Sequence, residues 1–384
     1  MLSKRGEKKK KYLKIEKING QEFIKIINRD FKNQSIIDKR YKILNEKENI
    51  LFPLIDDDEL INSLIKLIED RFSFKIISKK GIYDNNYKYK NLKEALENKF
   101  PRKFLDLIPN SYDTIGKIVI LEFDEIENPE DPELKMIKRE IAKGITKINE
   151  NISSVFEKKS EIRGTYRIRE LNFLYGENKT ETIYKENNCI FKLDVKQTFF
   201  TPRLVYERNR IASSKIQKNE FIIDLFAGVG PFSIQIAKNH PVKIHAFDIN
   251  RIAYKYLKEN IKLNKLKGTI IPHNIDIKYL LEPSFSLGSM LKNKANRIIM
   301  NLPEKSLYFI DVACFLMKIS GGILHIYQFC EKPNSIEKAK DKLRLSLEKL
   351  NWHIEEIITS KIVKSYSPKS ELVVLDSKIK SLNE

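Results

Sequence analysis

Residues 222–233 join an acidic side chain to a glycine loop at the end of an apolar run. Asp224 ends the run, and Gly228 and Gly230 follow it. Glycine lets the backbone approach a ligand closely and adopt φ values closed to other residues, as a nucleotide-type cofactor requires at the end of a parallel strand. A lone Gly-x-Gly is equally typical of an ordinary strand-to-helix turn. The loop has neither the third glycine of a dinucleotide-binding fingerprint nor the Gly-Lys-Ser/Thr of a P-loop, so both classes fit poorly.

A second acidic residue stands at the end of the next apolar run, Val242–Phe247. Asp248 lies 18 residues after Gly230, close to the spacing of about 20 at which an acidic residue hydrogen-bonds a nucleotide ribose. Its alternative role is to cap the helix predicted over residues 252–266, because Asp and Asn both cap helices well. Two matched elements in the right order favour the ribose role.

Two further polar residues follow predicted strands. Asp276 is placed to accept a hydrogen bond from an adenine amino group, although a turn-forming Asx residue explains it nearly as well. Asn301 follows the apolar segment 297–300 and is followed by Leu302 and Pro303. Its amide is therefore presented where open α/β sheets bind ligands, at the carboxyl ends of the strands. The alternative for Asn301 is an ordinary Asn/Pro turn.

A third candidate carboxylate precedes the predicted sheet. Pro202 can occupy the first turn of a helix, and Glu207 then shares that helix with Arg203, four residues before it, and Arg210, three residues after it. This spacing favours an ordinary helix ion pair.

The chain is strongly basic. Its 384 residues include 71 Lys and Arg against 52 Asp and Glu, a net charge of +19, which favours a polyanionic partner. No stretch approaches the roughly 18 apolar residues of a membrane span, so no membrane partner is expected beyond a peripheral one. The first 19 residues carry eight Lys and Arg and lack the apolar region of a secretory signal. They are expected to be a basic arm or a solubilising tail, and the protein is expected to be a monomer.

The cysteines and histidines show no metal-binding pattern. Cys189, Cys314 and Cys330 are far apart and form no C-x-x-C pair, which argues against a disulfide framework or a zinc site. A reducing compartment fits this usage, so a cytoplasmic location is expected. The five histidines show no ligand spacing either, and no metal is predicted.

The pattern of elements divides the chain into four parts. They are a basic tail over 1–19, a small α/β unit over 20–80, a middle α+β domain over 81–200 and a strand–helix domain over 201–384. Helices before residue 200 are predicted at Phe23–Phe31, Glu59–Phe72, Leu92–Phe100 and Leu134–Ile148. Strands in that part are predicted at Tyr41–Leu44, Asn49–Ile55, Ile115–Phe123, Tyr166–Tyr175 and Cys189–Asp194.

The last part alternates strands and helices. Strands are predicted at 221–225, 242–247, 269–272, 297–300 and 322–328. Two final strands, His353–Val363 and Glu371–Leu375, have no helix between them, so one strand should run antiparallel to an otherwise parallel sheet. The pattern predicts a doubly wound, Rossmann-like α/β domain.

Four segments stand in a distinctive order along the chain. They are Arg163-Gly164-Thr165-Tyr166-Arg167, Phe200-Thr201-Pro202-Arg203-Leu204 with Glu207-Arg208, Asp224-Leu225-Phe226-Ala227-Gly228-Val229-Gly230-Pro231-Phe232, and Asn301-Leu302-Pro303. Together they resemble the archaeal and eukaryotic tRNA (guanine-37-N1)-methyltransferases. Residues 36–43, 51–53 and 108–116 extend the resemblance to about residues 20–384. It implies a class I S-adenosylmethionine (SAM) methyltransferase domain preceded by a small tRNA-binding domain and a middle domain.

The resemblance also implies roles for particular residues. Glu207 would take the proton from N1 of the guanine 3′ of the anticodon, Arg167 would stabilise charge on O6, and Asn301 would hold the guanine edge. The choice of Arg167 over the nearby Arg169 rests on the resemblance. Contacts to SAM are implied for Arg208, Asp224, Phe226, Gly228, Gly230, Asp248, Ile249, Asp276, Ile277 and Asn301.

Three other functions remain open at this point. An aminocarboxypropyl transferase of the wybutosine pathway would share the fold, the tRNA and most cofactor contacts, although Asn301-Leu302-Pro303 together with Glu207 favours methyl transfer. A dual-function enzyme that also methylates a tricyclic guanosine intermediate is a second alternative. A non-catalytic RNA-binding protein is the third, but the intact pair Asp224 and Asp248 argues against it.

Overall fold

The computed structural model describes residues 9–31, 35–84, 86–87, 92–96, 107–109, 111–123, 131–160 and 164–382. Arg163 and the end of the predicted helix Leu92–Phe100 lie outside the described residues. The chain forms two compact units, Met1–Lys90 and Asn91–Glu384; the boundaries expected at residues 80 and 200 stay predictions. None of the helices in the described part of the chain has the length and apolar character needed to span a bilayer.

The first unit is an antiparallel sheet covered by two helices. Its elements are β1 (Lys9–Glu16), α1 (Gly20–Asp30), β2 (Leu44–Glu46), β3 (Asn49–Pro53), α2 (Asp58–Ile68) and β4 (Phe74–Lys80). The strand order is β2-β3-β1-β4, and the apolar faces of both helices share one core with Leu13 and Phe52. The predicted helices and the hairpin of β2 and β3 are present, with shifted ends.

Residues 9–16 differ from the expected basic tail, because they form the interior strand β1. This strand pairs with both β3 and β4, and its Lys10 side chain is only 1% exposed. A buried ammonium group needs opposite charge close by, and Lys10 finds it in Asp38, at 2.9 Å, and Asp56, at 3.1 Å. These carboxylates are far from Lys10 in sequence, so the lysine-rich segment could not be predicted as a strand, and its local sequence predicts a basic tail.

The second unit begins with smaller sheets. Its first elements are α3 (Leu92–Leu96), β5 (Asp113–Ile115), β6 (Ile118–Leu121), α4 (Pro132–Ile148), β7 (Ser154–Lys158), β8 (Leu171–Gly176), β9 (Glu181–Glu186) and β10 (Cys189–Asp194). The strands form a sheet of order β5-β6-β7-β8 and a separate hairpin of β9 and β10. Strands β6 and β7 are parallel, joined through α4.

Two predicted strands in this region need correction, and one strand was not predicted. The single strand predicted at Ile115–Phe123 is two strands, because Gly116 takes a positive φ of 58° and reverses the chain. The strand predicted at Tyr166–Tyr175 begins only at Leu171. Strand β9 was not predicted, because its sequence, Glu-Thr-Ile-Tyr-Lys-Glu, has charged residues at both ends and no long apolar run.

The rest of the second unit is the predicted Rossmann-like domain. Its elements are α5 (Val205–Ala212), β11 (Phe221–Asp224), α6 (Pro231–Asn239), β12 (Lys243–Phe247), α7 (Arg251–Leu263), β13 (Thr269–His273), α8 (Ser286–Leu291), β14 (Arg297–Met300), α9 (Ile310–Leu316), β15 (Gly322–Glu331), α10 (Ser335–Glu348), β16 (Trp352–Ser367) and β17 (Ser370–Ser381). The sheet order is β13-β12-β11-β14-β15-β17-β16. The first five strands in this order are parallel, and β17 is antiparallel to both of its neighbours. The predicted fold class is confirmed.

Helices cover both faces of this sheet. Residues of α5, α6 and α7 share one apolar core with β9–β10 hairpin residues, and residues of α8, α9 and α10 share the core on the other face. The strand order reverses at β11, which lies between β12 and β14. Ligands of such sheets bind outside the carboxyl ends of the strands at this reversal.

A buried histidine pair links two of the parallel strands. His245 on β12 and His273 on β13 lie with Nδ1 and Nε2 2.9 Å apart, and Phe221 and Phe247 stack on the two rings. Burial, followed by the charges of His273 and Lys243, lowers the pKa of His245 to about 4 from its usual 6.5. The pair is therefore neutral at pH 7.

This pair predicts a pH-dependent contribution to stability. Between pH 6.5 and about 4 the unfolded chain binds a proton that folded His245 rejects, so the pair loses up to about 1.4 kcal/mol of stability per pH unit as the pH falls. Urea unfolding at pH 7 and pH 5 should show a smaller pH dependence in His245→Gln than in the wild type. His240→Gln is the control, and equal dependence in all three proteins would contradict the prediction.

Candidate active site

Predicted site residues meet at the carboxyl edge of the parallel strands. Asp224 ends β11, Asp248 follows β12, Asp276 lies three residues after β13, and Asn301 follows β14. These four strands are neighbours in the sheet. The sequence therefore placed the polar side chains at the correct edge.

A cavity of about 120 Å³ lies at these strand ends, and we name it the glycine-loop cavity. It is lined by Thr165, Tyr166, Arg167, Phe199, Leu225, Phe226, Gly228, Asp248, Ile249, Asn250, Ala253, Ile275, Asp276, Ile277, Asn301, Leu302 and Phe309. The lining includes every predicted cofactor contact except Arg208, Asp224 and Gly230.

The two glycines of the loop have different roles. Gly228 has a φ of +57°, and a Cβ added to it would meet only the Phe199 carbonyl oxygen, at 3.9 Å. The space in front of Gly228 is therefore open to a ligand. Gly230 has a φ of +91°, and its Cβ would lie 2.5 Å from Leu257 and 3.0 Å from Ile234. Gly230 is needed for the start of α6 and for packing rather than for lining the cavity.

Asp248 ties the glycine loop to the end of β12. Its Oδ2 accepts a hydrogen bond from Gly228 N at 2.7 Å, and its Oδ1 accepts one from Asn250 N at 2.8 Å. Burial raises its pKa to about 6, although both backbone donors act in the opposite direction. The helix-cap alternative is not realised, because the Asn250 side chain caps α7 by accepting from Ile252 N and Ala253 N.

Asp276 forms the turn considered for it, whereas its contact with adenine stays a prediction. Its Oδ1 accepts from Lys278 N at 3.0 Å, which starts the short 3-10 helix Ile277–Leu281. The same residue lines the glycine-loop cavity. The turn therefore fixes the carboxylate at the edge of this cavity.

Asp224 and Arg208 lie outside the cavity lining. Asp224 is 1% exposed, accepts from Ser233 Oγ at 2.7 Å and has its pKa raised to about 7 by burial. Its Oδ1 has no partner among the described residues. Arg208 is 2% exposed and donates from Nη2 to Glu186 at 2.6 Å and from Nη1 to the Thr201 carbonyl at 3.1 Å. Arg208 thus joins α5 to β9 rather than to the glycine-loop cavity.

A second cavity, of about 480 Å³, adjoins the first, and we name it the hairpin cavity because the end of the β16–β17 hairpin contributes to it. It is lined by Asp113, Glu122, Lys158, Arg167, Arg169, Phe199, Thr201, Arg203, Leu204, Asn301, Pro303, Phe329, Lys364, Ser365, Tyr366, Ser367 and Leu372. Arg167, Phe199 and Asn301 line both cavities. A group bound in one cavity would therefore meet a group bound in the other at these three residues.

Arg167 has the features of a residue prepared for a ligand. It takes an unusual positive φ of 53°, and its guanidinium carbon stacks 4.9 Å from the centre of the Phe199 ring. Its Nη2 lies 3.5 Å from Glu304, but Nε and Nη1 are buried without a partner among the described residues. Burial lowers its pKa, against the charge of Glu304. Of these two cavities, Arg169 lines the hairpin cavity alone, so position separates the two arginines.

Glu207 is buried in an ion-pair network and lines neither cavity. Its Oε2 accepts from Arg210 Nη2 at 2.9 Å and from Tyr327 Oη at 3.2 Å, and its Oε1 lies 2.6 Å from Lys361 Nζ. The helix ion pair with Arg210 that the spacing favoured is present. Arg203 instead pairs with Asp113 at 2.7 Å.

Comparison with known proteins decides the family. Residues 182–355 match the family model described as the TRM5/TYW2 methyltransferase domain, and residues 92–180 match the TYW2 N-terminal domain. A tRNA (guanine(37)-N(1))-methyltransferase Trm5b of Methanocaldococcus jannaschii is 37% identical over 96% of this chain and 98% of its own length. This chain belongs to the TRM5/TYW2 methyltransferase family.

Two further relatives show what the family includes. The solved complex of aTrm5 with tRNALeu is 35% identical, covers 96% of this chain and 99% of its own, and superposes with a TM-score of 0.68. A tRNA(Phe) (4-demethylwyosine(37)-C(7)) aminocarboxypropyltransferase of M. jannaschii is 32% identical and is matched over 98% of its own length, but it covers 71% of this chain. Family members thus transfer more than one kind of group.

Sequence reasoning missed part of the site. Lys364–Ser367 line the hairpin cavity, but the predicted strand ended at Val363 because the residues beyond it are polar. Phe309 lines the glycine-loop cavity from a short 3-10 helix and carried no distinguishing signal. Among the described residues, no group of three or more His, Cys, Asp or Glu is placed to hold a metal ion.

The geometry of Asp248 predicts pH-dependent cofactor binding. Its carboxylate should accept hydrogen bonds from the ribose hydroxyls of SAM when it is ionised, so affinity should fall as the pH drops through about 6. Asp248→Asn should bind SAM roughly 10–100-fold more weakly, because a hydrogen bond to a charged group contributes about 1.5–3 kcal/mol. Calorimetry at pH 5–8 measures both effects. Asp341→Asn on exposed α10 is the control. If Asp248→Asn binds SAM with the affinity and pH dependence of the wild type, the ribose role is excluded.

Proposed function

We propose that this protein transfers a methyl group from SAM to N1 of guanine 37 of tRNA, the nucleotide 3′ of the anticodon. The observation that carries the proposal is Arg167, which lines both cavities and whose buried Nε and Nη1 have no partner among the described residues. Family membership and the full-length match to Trm5b support the same reaction.

The glycine-loop cavity fits the cofactor. Gly228 leaves space for close approach, Asp248 offers an acceptor for ribose and Asp276 offers one for the adenine amino group. When bound there, SAM supplies a methyl group activated by its sulfonium charge. The apolar residues of the lining, Phe226, Ile249 and Ile277 among them, would pack against the adenine ring.

The hairpin cavity would hold the target base, extruded from the anticodon loop as enzymes that act on bases require. N1 of guanine carries a proton, and its loss places negative charge on O6. The unpaired N–H groups of Arg167 would donate to that oxygen, and a fixed donor in a water-poor site stabilises the developing charge. Asn301, which lines both cavities, would hold the guanine edge toward the methyl group.

Glu207 is the proposed general base, and one of its oxygens must become free before it can accept a proton. Both of its oxygens are engaged, one by Lys361 and the other by Arg210 and Tyr327. Lys361 is 42% exposed, whereas Tyr327 is fully buried. Because Glu207 lines neither cavity, we propose that the entering nucleotide displaces Lys361, and that Oε1, opened in this way toward the base, takes the N1 proton.

The first unit would bind the body of the tRNA. Strands β1 and β4 are paired, and Lys9, Lys11, Lys75, Lys79 and Lys80 are all exposed on them. Such a concentration of lysine favours phosphate contacts. We further propose a cytoplasmic location, which fits three buried cysteines that form no disulfide, and a monomeric state, which sedimentation velocity would check.

The transferred group and the target atom are predicted first. Incubation of a tRNA transcript bearing G37 with the protein and SAM should yield 1-methylguanosine at position 37, as read by nuclease digestion and mass spectrometry. A transcript with A37 is the matched control and should stay unmodified. An aminocarboxypropyl group on the RNA, or modification at another nucleotide, would refute the proposed function.

The Glu207→Gln substitution tests whether Glu207 acts as the general base. Removal of a general base should lower the single-turnover methylation rate by about 10²–10⁴-fold, while tRNA and SAM affinities stay nearly unchanged. Glu348→Gln on exposed α10 is the control for loss of one carboxylate. If the single-turnover rate of Glu207→Gln equals that of the wild type, Glu207 is only an ion-pair partner of Arg210 and Lys361.

A further inference from the structure

The end of the β16–β17 hairpin contributes a cationic wall to the hairpin cavity. Both strands extend beyond their predicted limits, to Ser367 and from Ser370. Lys364 and Tyr366 thereby reach the cavity lining, and the Tyr366 ring packs 4.1 Å from the ring centre of Phe329. The hairpin end is thus packed against the sheet rather than projecting away from it.

Positive charge is in excess in this cavity. Five cationic side chains line it (Lys158, Arg167, Arg169, Arg203 and Lys364) against two carboxylates, Asp113 and Glu122. The carboxylates are already engaged, since Glu122 pairs with Lys158 at 2.6 Å and Asp113 with Arg203 at 2.7 Å. Within the described part of the chain, Arg169 and Lys364 form no ion pair.

The excess of positive charge disfavours the charged form of Lys364. Its side chain is half-buried, and burial followed by the charge of Arg203 lowers its pKa, with Arg169 acting in the same direction and Asp113 against it. Like charges held together in a partly desolvated site are unfavourable until an anion joins them. An anion bound between them would relieve the repulsion and restore full charge to the lysine.

We propose that Lys364, Arg169 and Arg203 bind a backbone phosphodiester of the RNA next to the target nucleotide. A phosphodiester carries one negative charge and two exposed oxygens, which matches a lysine point charge beside guanidinium donors. The inference rests on the proposed function, because it assumes that the target base occupies the same cavity. The carboxylate of SAM is a poorer match, because Lys364, Arg169 and Arg203 do not line the glycine-loop cavity.

The salt dependence of tRNA binding tests whether the charge of Lys364 contacts a phosphate. Binding is measured with the full-length protein without SAM. For Lys364→Ala, affinity should fall several-fold at low salt and the slope of log K against log salt should shrink by about 0.7–0.9, the value for one phosphate contact. Lys364→Arg should restore most of the slope. Lys369→Ala, an exposed lysine in the hairpin turn outside the cavity lining, is the control, and an unchanged slope in Lys364→Ala would overturn the proposal.

Combining a neutralised phosphate in the tRNA with the Lys364→Ala variant tests which phosphate Lys364 contacts. Ligated tRNAs carry a neutral methylphosphonate either 5′ or 3′ of nucleotide 37. At one of these positions, neutralisation should weaken binding to the wild type and add nothing further in Lys364→Ala. If the losses are additive at both positions, Lys364 does not contact a phosphate beside the target nucleotide. Product mapping with the wild type is independent of this cycle, so additive losses with normal G37 methylation would remove the phosphate site alone.

Discussion

A chain of hydrogen-bonded polar and charged side chains crosses the centre of the large sheet and ties helix α5 to it. Arg210 on α5 pairs with Asp376 on β17, Asp376 accepts from His325 on β15, and His325 contacts Arg297 on β14 at 2.7 Å. Arg297 completes the chain with Glu220. Burial raises the pKa of Asp376, but hydrogen bonds from His325 and Arg210, with the charge of Arg210, outweigh it and keep that pKa well below its usual range. Removal of one member would leave its partner charged and buried, which costs about 3–5 kcal/mol.

This network constrains how Glu207 works. Arg210 holds Asp376 and Glu207 at once, so the sheet sets the position of the carboxylate independently of the substrate. In the proposed reaction, a base fixed in this way would lose little conformational entropy, but it would have to exchange one ion-pair partner for the substrate. Lys361 is the more exposed of the two cationic partners, at 42% against 25% for Arg210, so in the proposed reaction it is the partner on edge strand β16 that leaves.

Local sequence determined the strand ends but not the side-chain partners. Asp248 and Asp276 were predictable because each follows an apolar strand, and four parallel neighbours bring such positions together. Arg208 was not predictable, because its partner Glu186 lies on the unpredicted strand β9. The surroundings of Lys10 and Lys364 could not be predicted for the same reason. Lysines in polar segments are usually exposed to solvent, and only long-range packing shows that carboxylates surround Lys10 and that cations lie near Lys364.

The two adjoining cavities differ in charge, and this separates their ligands. Asp248 and Asp276 give the glycine-loop cavity an acidic lining with Arg167 at its border, whereas cations predominate in the hairpin cavity. Under the proposed function, this difference favours the sulfonium cofactor in the first cavity and an RNA phosphate in the second.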